Sequence, residues 1–398
     1  MSVLVGFAEA LSAPESVWSL VDAGFQVCAF SRRGRCPALR QSRYLSVHEI
    51  TAPEKDVAAA RTELAELLAK VFADRSGPHV FLPLDDAALW LGAHTPLPAG
   101  WISAGPNETL AELALNKWKQ IELARAAGFT VPESAVISHL DELARFSKSL
   151  PVILRPAQAV REEGPGLGKG SNWICADESE LQKAAKQWRG HGSLLVQPFL
   201  RGVGEGVFGF ATRNGVVGWS AHRRLRMMNP HGSGSSACVS RRVPKEARAA
   251  AERFVRQADW RGMFMIEMLA EGDGRNAFVE FNGRAWGSMA LARRLGFEYP
   301  AWSAQLALDP DFSPTMPAAP AKEIECRNLG RELMHLLFVL RGPRSRALQE
   351  WPSAWKTVGN FFRGLGTSAF YNSRRGDRRV FLRDTCNTIR DQFIKRKS

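Results

Sequence analysis

Apolar runs of strand length punctuate the first hundred residues. SVLVGF (2–7), FQVCAF (25–30) and HVFLPL (79–84) are nearly unbroken, and helical patterns at about 14–23 and 55–73 alternate with them. Strands of this kind joined by helices predict a parallel sheet covered on both faces. The pattern then changes. Asn116 is placed to cap a helix, KWKQIELARAAG, that ends at Gly128 with Pro132 beyond as a stop. Apolar strands follow at 151–157 (PVILRPA) and 194–200 (LLVQPFL), and Asn214-Gly215 marks a hairpin within 206–222. Segment 230–241 (PHGSGSSACVSR) reads as a small-residue loop, and a helix of about 244–259 leads into two further apolar runs.

Those two runs, MFMIEML and AFVEF, each carry one glutamate. Asp273-Gly274 between them is a two-residue hairpin signal. Counting outward, Gly272 faces Arg275, Ala270 faces Ala277 and Glu267 falls opposite Glu280; an odd-length loop would slip this register. Facing carboxylates repel, so one must be protonated or a cation must lie between them. Asn282 shares the face of Glu280, as does Arg284 if the strand continues. Two carboxylates, an amide oxygen and a guanidinium suit Mg²⁺ holding a polyphosphate. The plainer alternative, a solvated hairpin, fits less well because the neighbours are apolar at both parities.

Length and composition set the frame. The 398 residues allow two or three domains, and 45% hydrophobic with 23% charged residues is ordinary globular material. Six cysteines without a CxxC pair argue against a zinc site or a disulfide framework and favour a reducing cytoplasm. The opening MSVLVGFAEALSAPES lacks the features of a secretory leader, and no apolar run is long enough to span a membrane. Residues 321–398 carry seventeen Lys/Arg against seven Asp/Glu, which leaves only +3 of the net +13 to the rest of the chain. Such a segment favours a polyanionic surface, and a peripheral membrane contact or a lipid-linked acidic substrate fits it as well as nucleic acid does. No nucleic-acid-binding module is recognisable. The first loop is not G-x-G-x-x-G, and Gly164 to Lys169 is one residue short of a P-loop. The loop 161–173 (REEGPGLGKGSNW) reads as a flexible cover for phosphates or a surface turn.

Taken in order, these motifs resemble the ATP-grasp superfamily over residues 106–310, and residues 1–105 resemble the domain that precedes it. The branch most similar is the bacterial carboxylate ligases related to the large subunit of carbamoyl-phosphate synthase. The expected fold is α/β followed by α+β. A Rossmann-like domain (1–105) precedes an ATP-grasp lid subdomain (106–190) and catalytic subdomain (191–320), and a basic, mainly helical segment (321–398) ends the chain. The resemblance implies Lys117 and Arg155, the latter where lysine is usual, as contacts to ATP phosphates. It implies Lys169 on the phosphate-covering loop, Gln197 and Phe199 at the adenine, and Glu205 as the only candidate at the ribose. Glu267, Glu280 and Asn282 would hold Mg²⁺ (Mn²⁺ as the alternative), and Arg284 would grip the transferred phosphoryl or acyl phosphate. Arg223, Arg226 and the 231–236 loop are expected at the acceptor, with Ser288 near the start of a helix closing the site. The implied function is an ATP-dependent ligase that activates a carboxylate as an acyl phosphate for attack by an amine or similar nucleophile. The alternatives are a non-catalytic ATP-binding module and a phosphotransferase that stops at the phosphorylated substrate.

Overall fold

A computed structural model describes residues 1–230, 232–272, 276–318, 322–343 and 351–394. The first unit contains β1 (Ser2–Gly6), α1 (Ala13–Asp22), β2 (Gln26–Arg32), β3 (Leu45–Ile50), α2 (Val57–Lys70), β4 (His79–Pro83), α3 (Asp86–His94) and β5 (Trp101–Ser103). Its sheet is parallel in the order β3-β2-β1-β4-β5. The chain therefore reverses direction across the sheet between β1 and β4, and the crevice at the carboxyl ends of those two strands is where such sheets bind ligands. β1 is buried at every position, as its unbroken apolar run requires.

Next come α4 (Glu108–Leu115), α5 (Lys117–Ala126), β6 (Ala135–Ile137), β7 (Val152–Pro156), β8 (Arg161–Glu163), β9 (Gly166–Gly168), β10 (Trp173–Cys175), α6 (Glu178–Trp188) and β11 (Leu194–Pro198). Asn116 caps α5 as expected, accepting from the amides of Trp118 and Lys119. Four of these strands form an antiparallel sheet, β10-β7-β11-β6, with a small core of its own around Leu154, Trp188 and Leu194. The glycine-rich loop is more ordered than the sequence suggested. Its centre is the two-stranded hairpin β8–β9, pinned to the first unit by Leu167 N–H to the Pro53 carbonyl (2.7 Å) and Val57 N–H to the Pro165 carbonyl (2.7 Å). Gly166 permits this approach, since a Cβ there would collide with the Glu54 carbonyl.

The largest sheet contains β12 (Val203–Thr212), β13 (Gly215–Asn229), β14 (Ser233–Arg241), β15 (Gly262–Ala270), β16 (Asn276–Asn282), β17 (Glu325–Arg327) and β18 (Ala369–Phe370), in the order β16-β15-β12-β13-β14-β17-β18. The β12–β13 turn centres on Arg213-Asn214, one residue before the Asn-Gly signal, because Thr212 pairs with Gly215. Segment 233–241 is a strand and not the expected loop. Its small residues are squeezed between β13 and β17, where Ala237 and Cys238 are fully buried. Helices α7 (Lys245–Gln257), α8 (Met289–Arg294), α9 (Tyr299–Leu308), α10 (Leu329–Arg341), α11 (Ala354–Thr367) and α12 (Arg378–Ile394) pack around it. The basic segment is thus built into the fold: it adds two strands to the sheet, and Tyr371 and Val380 lie in the core. Among the described residues no helix is long and apolar enough to cross a membrane.

Candidate active site

The hairpin β15–β16 sets Glu267 opposite Glu280, but not by the route counted from the turn. Next to the turn the pairs are Ala270–Asn276, Leu269–Ala277 and Met268–Phe278, so Ala270 faces Asn276 and not Ala277. Five residues separate the closing pair, and this odd loop slips the register by one. A bulge at Val279 takes up the offset and restores the expected register at the glutamates. The Asp273-Gly274 turn and Arg275 lie outside the described residues.

Each glutamate holds one arginine. Arg224 Nη2 donates to Glu267 Oε2 (2.7 Å) and Arg155 Nη2 to Glu280 Oε2 (2.8 Å), which offsets the repulsion between the facing carboxylates. Arg155 Nη1 also donates to the Val279 carbonyl (3.2 Å) at the bulge. Burial alone would push the Glu280 carboxyl up, but Arg155, Lys117 and the Asn282 amide hold it down at about 2. Asn282 Nδ2 donates to Glu280 Oε1 (3.1 Å), so Oδ1 is the amide oxygen offered to a ligand. Lys117 opens α5; burial lowers its pKa, against the attraction of Glu280 and Asp86. Arg284 Nε donates to Asp86 Oδ1 (2.6 Å), which ties the end of the β16 strand to the first turn of α3.

A cavity of about 500 Å³ opens on this group. Glu267, Glu280, Asn282, Arg284, Lys169 and Ser288 line it. Leu11, Ser12, Asp85 and Asp86 line it from the loops after β1 and β4, on either side of the sheet's reversal point. The donors fit Mg²⁺, a hard ion that takes one or two carboxylates and completes its shell with phosphate oxygens and water. Among the described residues no three His, Cys, Asp or Glu side chains gather around a metal position, so a third protein oxygen would have to come from the Asn282 amide.

No protein-family model matches the chain, and no curated protein matches it. Solved structures do. The biotin carboxylase domain of Hydrogenobacter thermophilus 2-oxoglutarate carboxylase, in complex with MgADP, ADP and bicarbonate, aligns at TM-score 0.60 and 16% identity over 79% of this chain and 71% of that one. Carboxyaminoimidazole ribonucleotide synthase from Aspergillus clavatus, complexed with ATP, aligns at 0.60 and 16% over 82% and 81%. The L-amino acid ligase of Bacillus licheniformis aligns at 0.54 and 16% over 77% and 73%. The chain has the ATP-grasp fold. Likeness at this identity concerns architecture, so the side chains must speak for the chemistry.

Several expected residues sit away from the cavity of this ATP-grasp unit. Arg155 is buried behind Glu280 and does not line it. Gln197 is buried in β11, where Nε2 donates to Ser134 Oγ (2.9 Å), and the Phe199 N–H donates to the Pro151 carbonyl (2.9 Å). Glu205 faces Arg223 across β12–β13, with 3.8 Å between their charged atoms. Arg226 is tied to Glu332 (3.0 Å) and Glu325 (3.3 Å). Neither Arg223 nor Arg226 lines the cavity; Arg224 and His222, which share a strand face, do. His222 is buried. His231 lies outside the described residues. Sequence reasoning missed Asp86, His222, Arg224, Arg331 and Tyr371. For Asp86 a signal existed: Asp85 caps α3 and Asp86 supplies its first-turn acid, directly after an apolar strand.

Proposed function

We propose that this chain is an ATP- and Mg²⁺-dependent ligase that activates a carboxylate as an acyl phosphate for attack by an amine or similar nucleophile. The observation that carries this reading is the facing pair Glu267 and Glu280, with Asn282 beside them, on the wall of a cavity that also presents Arg284 and Lys169. A substrate carboxylate oxygen attacks the γ-phosphorus, the bond from that phosphorus to the bridging oxygen breaks, and ADP leaves. The nucleophile then adds to the carbonyl carbon, phosphate departs with the C–O electron pair, and the amine proton passes to solvent. Phosphoryl transfer asks for alignment and charge neutralisation more than for a protein nucleophile. Glu267, Glu280 and Asn282 would hold the divalent ion, which neutralises phosphate charge when bound. Arg284, steered by Asp86, and Lys169 at the cavity and Lys117 close by supply fixed positive charge. The β8–β9 hairpin, docked against the first unit, limits access of water to the intermediate.

The test is a panel of acids and amines coupled to ADP release, with Glu280→Gln as the blank. Turnover needing both an acid and an amine supports ligation. Phosphorylated acid that accumulates without an amine would replace it with the phosphotransferase reading, and nucleotide binding without ADP release with the non-catalytic one.

A separate observation bears on the basic segment. On α11, Trp355 (87% exposed) and Phe362 (64% exposed) lie seven residues apart on one face, with Lys356 and Arg363 along its edge. Aromatic rings flanked by cations support contact with an anionic membrane surface. Phosphatidylserine vesicles should sediment the wild-type chain and leave most of a Trp355→Ser/Phe362→Ser variant in solution; equal recovery would remove the reading. Truncation at residue 320 is no substitute, because it deletes core residues such as Tyr371 and Val380.

A further inference from the structure

Arg224 and Glu267 are not on neighbouring strands. β12 runs between β13, which carries the arginine, and β15, which carries the glutamate. Strands two places apart in a sheet are separated by about 10 Å, and side chains of the strand between them ordinarily fill that space. Arg224 Nη2 nevertheless reaches Glu267 Oε2 at 2.7 Å.

Glycine opens the way. Gly204 and Gly206 stand two residues apart on β12 and share a face. Gly206 pairs with Glu267 on one side and with His222 on the other. A Cβ at Gly204 would lie 2.7 Å from Arg224 Cδ and 3.0 Å from its Nη1, and a Cβ at Gly206 would lie 2.9 Å from His222 Nε2. The two missing side chains leave a trough across β12, and the arginine stem lies in it. Neither glycine has a positive φ, so the backbone does not require glycine at these positions; the space does. Phe208, two residues on, is large again, and its ring stacks on Trp286 with centroids 4.5 Å apart.

A cation that spans a strand to meet one carboxylate of a facing pair stands where a divalent ion would neutralise that carboxylate. Both partners line the cavity, the arginine side chain 18% and the glutamate 15% exposed. The ion and the arginine therefore compete for Glu267. Once the ion holds the carboxylate, the guanidinium is left at the cavity wall without its counter-charge, and an unpaired charge so enclosed is strongly unfavourable. A phosphate arriving with the ion supplies the missing partner. An ion arriving alone does not.

We propose that Arg224, laid in the Gly204–Gly206 trough, is an exchangeable counter-ion for Glu267 and makes entry of the divalent ion depend on an accompanying phosphate anion. The inference rests on the reading of Glu267 as an ion ligand and adds an order to it: ion and nucleotide enter together.

Mn²⁺ titration of the full chain, read from the electron paramagnetic resonance signal of the free ion, tests this without turnover. In the absence of nucleotide, Arg224→Gln should bind Mn²⁺ about tenfold more tightly than wild type, the worth of one hydrogen bond between charged groups. Gly204→Ala, which keeps the charge but lifts the stem from the trough, should give a smaller gain. Damage to the fold loses the ion, so a gain cannot arise from it. With ADP saturating, the gain should vanish in Arg224→Gln, because phosphate then meets the arginine of the wild type. Absence of the gain in either variant whose near-ultraviolet circular dichroism matches wild type, or a gain of the same size with ADP present, overturns the proposal and leaves the ion site in place. If Mn²⁺ binds neither wild type nor variants, with or without ADP, the ion reading of Glu267 falls and the exchange with it. If the gain appears but no acid supports ADP release, the exchange stands and the ligase reading falls.

Discussion

The two ends of the cavity are built on opposite principles. At the Glu267–Glu280 end the charges are matched within the protein, carboxylate to guanidinium, by Arg224, Arg155 and, through Asp86, Arg284. Elsewhere on its wall, the buried His222 Nε2 and Trp286 Nε1 have no hydrogen-bond partner. Buried ion pairs add little net stability once desolvation is counted; under the proposed function, the first end would exchange these protein partners for a nucleotide and its ion. The difference teaches that a site can be stored in either form, as charges held in reserve or as bonds left unmade.

Substitutions can break or sharpen this contrast. The largest effect is expected at the matched end: Glu280→Gln should lower ADP release about 10³-fold, and loss of the buried pair with Arg155 should cost about 3–5 kcal/mol of stability, read by urea denaturation. A smaller effect is expected from Gly166→Ala, which would lift the β8–β9 hairpin off Glu54 and raise the KM for ATP several-fold. A last effect is a slope in stability with pH. Burial, then the charge of Arg224, holds the His222 pKa down at about 3. Its folded value lies below the unfolded one, so protons favour the unfolded chain. Its contribution is present above about pH 6.5 and falls by about 1.4 kcal/mol per pH unit toward pH 3. His222→Asn should flatten the decline of Tm across that window.

Much of this was legible in the chain, because local period carries local structure. The apolar runs located β1, β2, β4, β7 and β11, Asn116 located the start of α5, and the acidic pair was reached by a count whose one-residue error the bulge at Val279 cancels. What escaped reading arises where distant segments close on each other. Asp86 reaches Arg284 from 198 residues away, and nothing in the sequence near either predicts the contact. Arg331 was absorbed into a count of basic charge that pointed outward, although it lines the cavity, and Tyr371 drew no reading. Arg226 was expected at the substrate, but a break in the β13–β14 register between Arg224 and Arg226 separates their surroundings, and such irregularities leave no periodic trace. Segment 233–241 was misread because glycine and serine suggest a loop, although small residues are what a strand crowded on both edges requires.

The bulge at Val279 also bears on how such a protein can change over generations. Because the offset is absorbed between the tip of the β-ribbon and its acidic pair, the tip is free to drift in composition without misaligning the two glutamates. Straightening the strand at that one point while the tip keeps its length would swing one carboxylate to the far layer. Inherited variation should therefore accumulate at the tip and be scarce at a valine that touches no substrate.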